Sequence, residues 1–91
     1  MRVAQIIETK LTEALRPTAL VVTDESHRHA GHAGAREGGE SHFHIDIVSA
    51  DFAGKSRVAR QRRVYEVLTE ELKGQVHALS MVTRTPEEAQ G

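Results

Sequence analysis

Val3, Ile7, Leu11, Ala14 and Leu15 recur at helical spacing, so the chain opens on a short amphipathic helix. Arg16-Pro17 ends it, because the residue before a proline is pushed out of the right-handed α region. Ala19-Leu20-Val21-Val22-Thr23 is brief and β-branched, a strand that runs into Asp24-Glu25-Ser26. The pattern then dissolves: from His27 to Gly39 no apolar residue is larger than alanine, and Gly31, Gly34, Gly38 and Gly39 predict a flexible loop over about 27–39. Order returns at Ser41, where Phe43, Ile45 and Ile47 alternate with His42, His44 and Asp46, the period-2 signature of a strand with one buried face. The two strands are expected to pair as a hairpin across the long loop. Asp51 to Ser56 reads as a tight connection, with Ser56 placed to cap a second helix from Arg57 to about Leu72. The apolar stripe of that helix is Val58, Val64, Tyr65, Leu68 and Leu72, and Lys73-Gly74 closes it. Val76 to Thr83 is a third strand, and Thr85 with Pro86 begins a last short helix as cap and first residue.

The order is therefore α-β-β-α-β-α. A strand–helix–strand crossover makes the second and third strands parallel and is right-handed, which predicts an α+β fold: a three-stranded mixed sheet with helices packed on one face. A chain of 91 residues holds one such domain, over 1–91, and no internal repeat is visible.

Charge and composition narrow the partners. Twelve Lys plus Arg against thirteen Asp plus Glu leave a formal charge of −1, so any nucleic-acid contact must come from a local basic patch. No apolar run approaches the roughly 18 residues of a spanning helix. The opening Met1-Arg2-Val3-Ala4-Gln5 lacks the apolar stretch of a signal peptide, so a cytoplasmic protein with no membrane partner is expected.

Six histidines and no cysteine shape the candidate chemistry. Imidazole is the commonest neutral metal ligand and titrates near physiological pH. With no thiol, a cysteine-based zinc site or an iron–sulfur cluster requires a partner to bring the sulfur. His27, His29 and His32 lie in the segment expected to bend freely, where two can converge on one metal or all can be solvated loop residues. His42 and His44 fall on the strand face opposite Phe43 and Ile45, open to solvent or to a partner. His77 interrupts the apolar run Val76-His77-Ala78-Leu79 at the start of the third strand, where it is either a polar residue at the edge of the core or a rigidly held ligand.

Lys55, Arg57, Arg60, Arg62 and Arg63 give five positive charges across nine residues at the start of the second helix. Such a cluster fits nucleic-acid phosphate or acidic protein, or is a solvated helix face balanced by Glu66, Glu70 and Glu71. No catalytic constellation emerges. Asp24, Ser26 and the nearby histidines have triad residue types, but a triad needs geometry fixed by separate elements, and no glycine-rich phosphate loop with lysine is present.

Taken in order, Asp24-Glu25-Ser26 with His29, Glu40-Ser41-His42-Phe43, Ile47-Val48-Ser49, Phe52-Ala53-Gly54-Lys55-Ser56, Arg57 to Tyr65, Glu70-Glu71-Leu72 and Val76-His77-Ala78-Leu79 resemble a BolA protein over nearly the whole chain. The resemblance implies a fold similar to the class II KH domain and a protein that is not an enzyme. It further implies a monothiol glutaredoxin as partner, a bridging [2Fe-2S] cluster shared with that partner and its glutathione, and a monomer or weak homodimer when alone. The family's ligand positions match His29 and His77, with His27, His32 and His42 as alternates. Two imidazoles on one iron and two thiolates on the other form a Rieske-like set. Some members are described as DNA-binding transcriptional regulators, for which Lys55, Arg57, Arg60, Arg62 and Arg63 are the candidate contacts. Gln61 stands where the family commonly has a histidine.

Overall fold

The computed structural model describes residues 2–25 and 41–91. Helix α1 spans Val3–Leu15, strand β1 Ala19–Asp24 and strand β2 His42–Val48. A single 3-10 turn, Ala50–Phe52, leads to helix α2 at Arg57–Val67. Helix α3 (Thr69–Lys73), strand β3 (Ala78–Arg84) and helix α4 (Pro86–Gln90) complete the order. The loop expected at 27–39 lies outside the described residues.

The sheet runs β1-β2-β3, antiparallel between the first pair and parallel between the second, so it is mixed as expected. Phe43, Ile45 and Ile47 of β2 are buried against α1, which contributes Val3, Ile7, Leu11 and Leu15, and against Val64 and Leu68. The i, i+4 spacing of the α1 residues lays them along one face, and burying such side chains is the dominant favourable contribution to a fold of this size. The other sheet face stays open, with Val21 and Val82 exposed on either side of Asp46.

Ser49 joins three of these pieces. Its buried hydroxyl donates to the Leu15 carbonyl at 2.7 Å and accepts the Asp51 amide at 3.1 Å, satisfying one orphan carbonyl at the end of α1 and starting the 3-10 turn. Lys10 pairs with Glu71 at 2.8 Å and ties α1 to α3.

The second helix departs from expectation in two ways. It breaks at Leu68, whose φ of −102° and ψ of 20° separate α2 from α3. The hydroxyl of Thr69 reaches back to the carbonyls of Tyr65 and Glu66 at 3.2 and 2.9 Å, the local competition by which a threonine loosens a helix. The buried stripe also differs. Val64 and Leu68 are in the core and Leu72 packs against it, but Val58 is 60% and Tyr65 41% exposed. In the first turns of α2 the inward positions belong to the half-buried Arg60 and Gln61. β3 starts at Ala78 rather than Val76, and Val76 instead fills the core.

Candidate functional site

Two of the three histidines in the described residues sit on the open face of β2. His42 Nδ1 lies 2.9 Å from the hydroxyl of the buried Ser41, and His44 Nδ1 lies 2.7 Å from the Ser80 hydroxyl on the adjacent strand. Both rings are therefore held by neighbours, as the cross-strand register His44 to Ser80 allows. His77 differs. It precedes β3, is exposed, and its backbone amide donates to the Ser41 carbonyl at 2.8 Å. That bond fixes the backbone of His77 beside the point where residues 26–40 rejoin β2. His27, His29 and His32 fall outside the described residues. Among the described residues no group of three or more His, Cys, Asp or Glu side chains could hold a metal ion.

The basic residues in and just before α2 divide. Lys55, Arg57 and Arg62 are exposed. Arg63 approaches Glu66 one turn on at 3.8 Å. Arg60 is committed elsewhere: its Nε donates to the Lys55 carbonyl at 2.9 Å, Nη1 to the Thr83 carbonyl at 3.2 Å, and its two terminal nitrogens to Glu88 at 2.7 and 3.2 Å. Only 12% of its side chain remains exposed. The structure thus brings Arg60 to α4 and β3 and leaves Lys55, Arg57 and Arg62 as the exposed cations.

Glu88 and Arg84 belong to this region and were not marked as site residues by sequence patterning. Glu88 completes the capping box of α4, accepting the Thr85 amide at 2.8 Å while its own amide donates to the Thr85 hydroxyl at 3.2 Å. The Arg60 guanidinium, followed by the Thr85 amide, pulls the Glu88 carboxyl down from 4.5 to about 2. Arg84 donates to Asp46 across the open sheet face at 2.8 Å. The Thr85-to-Glu88 spacing was a signal for the cap, but nothing in it points to an arginine 28 residues earlier.

No helix among the described residues is long and apolar enough to cross a membrane.

Comparison with known proteins places this arrangement. Residues 11–88 match the family model described as BolA-like protein. The chain is 49% identical over 86 residues to SufE-like protein 1, chloroplastic/mitochondrial, of Arabidopsis thaliana, covering 90% of this chain and 23% of that protein. It is 43% identical over 88 residues to a Haemophilus influenzae protein named DNA-binding transcriptional regulator BolA, covering 97% of this chain and 82% of that one. Its fold superimposes on the BolA domain of SufE1 from Arabidopsis thaliana with a TM-score of 0.84 at 47% identity, covering 93% of each chain. The chain thus spans less than a quarter of the SufE-like protein and most of the bacterial one. A match over this share of the sequence, on the same mixed sheet and helices, means that the chain belongs to the BolA family.

Proposed function

We infer that this chain is a non-enzymatic adaptor that pairs with a monothiol glutaredoxin and shares with it a bridging [2Fe-2S] cluster, in iron–sulfur trafficking or iron-status regulation. His77 and one histidine of residues 27–32, His29 first, are its ligands. The supporting observation is the exposed His77, anchored through its backbone to Ser41 at the return of the segment that carries His29. An exposed imidazole on a backbone anchored to Ser41, where the chain returns from residues 26–40, suits half of a coordination sphere, and a chain with no cysteine needs its partner for the other half. When bound, the cluster supplies one-electron redox chemistry and transferable iron and sulfide. The chain's own contribution is to present neutral imidazoles, so protonation of its ligands opposes binding. The test is anaerobic mixing with a monothiol glutaredoxin, iron, sulfide and glutathione. A new visible spectrum, distinct from that of the glutaredoxin homodimer, is expected, and an unchanged homodimer spectrum overturns the reading.

A second reading, a DNA-binding regulator, is favoured by the exposed Lys55, Arg57 and Arg62 on one stretch of chain and by the names of bacterial relatives. Phosphate contacts make affinity fall with salt. Binding of a duplex that is indifferent to salt, or that survives Lys55→Ala, Arg57→Ala and Arg62→Ala together, dismisses it.

A further inference from the structure

The outer margin of β3 is an open sheet edge. The Ala78 amide donates to Ser41 and the Arg84 carbonyl accepts from Ser49, so the even-numbered residues of β3 turn their backbone groups toward β2. By the alternation of a strand, Leu79, Met81 and Thr83 turn theirs outward. Arg60 takes the Thr83 carbonyl and closes the margin at that end. Beside it a cleft of about 470 Å³ separates α2 from β3, with Arg57, Gln61, Met81, Val82, Arg84 and Glu88 in its lining.

The cleft carries surplus positive charge. Glu88 is spent on Arg60. Arg84 reaches Asp46 through one terminal nitrogen, and its buried Nε has no hydrogen-bond partner. Arg57 is exposed and makes no ion pair among the described residues. The buried Nε is closed to a ligand, but Arg57 and the other terminal nitrogen of Arg84, which makes no hydrogen bond among the described residues, keep donors to spare beside a row of unpaired backbone groups, and together these describe a ligand with both a carboxylate and an extended main chain.

We propose that this cleft binds the C-terminal end of an extended peptide, added as a fourth strand along β3 with its terminal carboxylate held by Arg57 and Arg84. An isolated carboxylate or phosphate would use the arginines and leave the strand edge bare, whereas strand addition uses the outward groups of Leu79 and Met81 and the Thr83 amide. An internal segment would have to continue past Thr83, where Arg60 and α4 close the way. A chain end stops there, beside the cationic residues. The peptide then runs parallel to β3, as β2 does.

The test is selection of random heptapeptides displayed with free C-termini, followed by titration of the selected peptides into the isotope-labelled full chain. Binding should perturb the amide resonances of Leu79, Met81 and Thr83. Amidation of the peptide terminus, which needs no change in the protein, should weaken affinity by roughly tenfold, the size of one charge-assisted contact, and Arg57→Ala should do the same without altering the unfolding midpoint. The proposal is overturned if no free-acid peptide is selected, if amidated peptides bind equally, or if the perturbed resonances lie elsewhere. It is overturned equally if the same resonances move with chain concentration alone, which makes a second copy the occupant, or only on adding a single-stranded oligonucleotide.

Discussion

Arg60 and Glu88 face each other between α2 and α4, joined by guanidinium-to-carboxylate hydrogen bonds of 2.7 and 3.2 Å. The same guanidinium serves the carbonyls of Lys55 and Thr83, so one side chain staples the start of α2, the end of β3 and α4. Arg60→Ala should therefore cost about 1–2 kcal/mol, mostly from backbone carbonyls left without their donor. Arg62→Ala, on the exposed face of the same helix, should stay within about 0.5 kcal/mol. Urea unfolding of the two variants checks this, and equal losses would return Arg60 to the pool of free surface cations.

The pH dependence of that staple has a defined sign. Because Arg60 and then the Thr85 amide hold the Glu88 carboxyl at about 2, below its ordinary 4.5, the contribution of this carboxylate is complete above the ordinary value. It is lost as pH falls through the interval between the two values. The difference in thermal midpoint between the wild type and Glu88→Gln should be constant near neutral pH, shrink below about pH 4.5 and vanish near about pH 2. A difference that persists unchanged at the acid end would mean that Glu88 acts through packing and not through charge.

Arg16 stands one residue past α1 at φ 45° and ψ 57°, the left-handed region, where its Cβ crowds the following carbonyl. Its amide closes the helix on the Thr12 carbonyl at 3.0 Å, so the conformation is the helix's own terminator. Arg16→Gly should stabilise the fold by about 0.5–1 kcal/mol, the relieved strain outweighing the added freedom of the unfolded chain, while Arg16→Ala should be near neutral. Chemical denaturation of both variants separates the backbone effect from loss of the arginine side chain.

Periodicity carried most of the fold because most of its elements bury one face. The i, i+4 run of Val3, Ile7, Leu11 and Leu15 and the alternation of Phe43, Ile45 and Ile47 each correspond to a face now in the core. The same reasoning misassigned Val58 and Tyr65, because a helix stripe drawn from apolar residues has no place for an arginine that turns inward to find two carbonyls and a carboxylate. Thr69 could be seen in the sequence, but that its hydroxyl would turn back to the carbonyls of Tyr65 and Glu66 could not, because a threonine within a helix has other partners open to it, solvent among them. For the candidate site, His77 was visible as a polar residue in an apolar run. Its pairing with Ser41 depends on the parallel register of β2 and β3, which no local pattern encodes.

His77 separates structure from function more cleanly than any other histidine in the described residues. Its structural contribution is the backbone amide on Ser41, which alanine retains, and its ring is exposed with no hydrogen bond among the described residues. His77→Ala should therefore change stability by less than about 0.5 kcal/mol. On the adaptor reading the same variant should lose the spectrum of the mixed cluster with glutaredoxin, since it removes one of the chain's two proposed ligands. His44→Ala is the control: its ring is bonded to Ser80 at 2.7 Å on the open sheet face, so it should leave that spectrum intact. Single alanine variants at His27, His29 and His32 then assign the second ligand, with His29 expected to have the largest effect. Retention of the wild-type spectrum in His77→Ala would remove the fixed half of the proposed ligand pair, and the exposed cations Lys55, Arg57 and Arg62 would become the stronger guide to function.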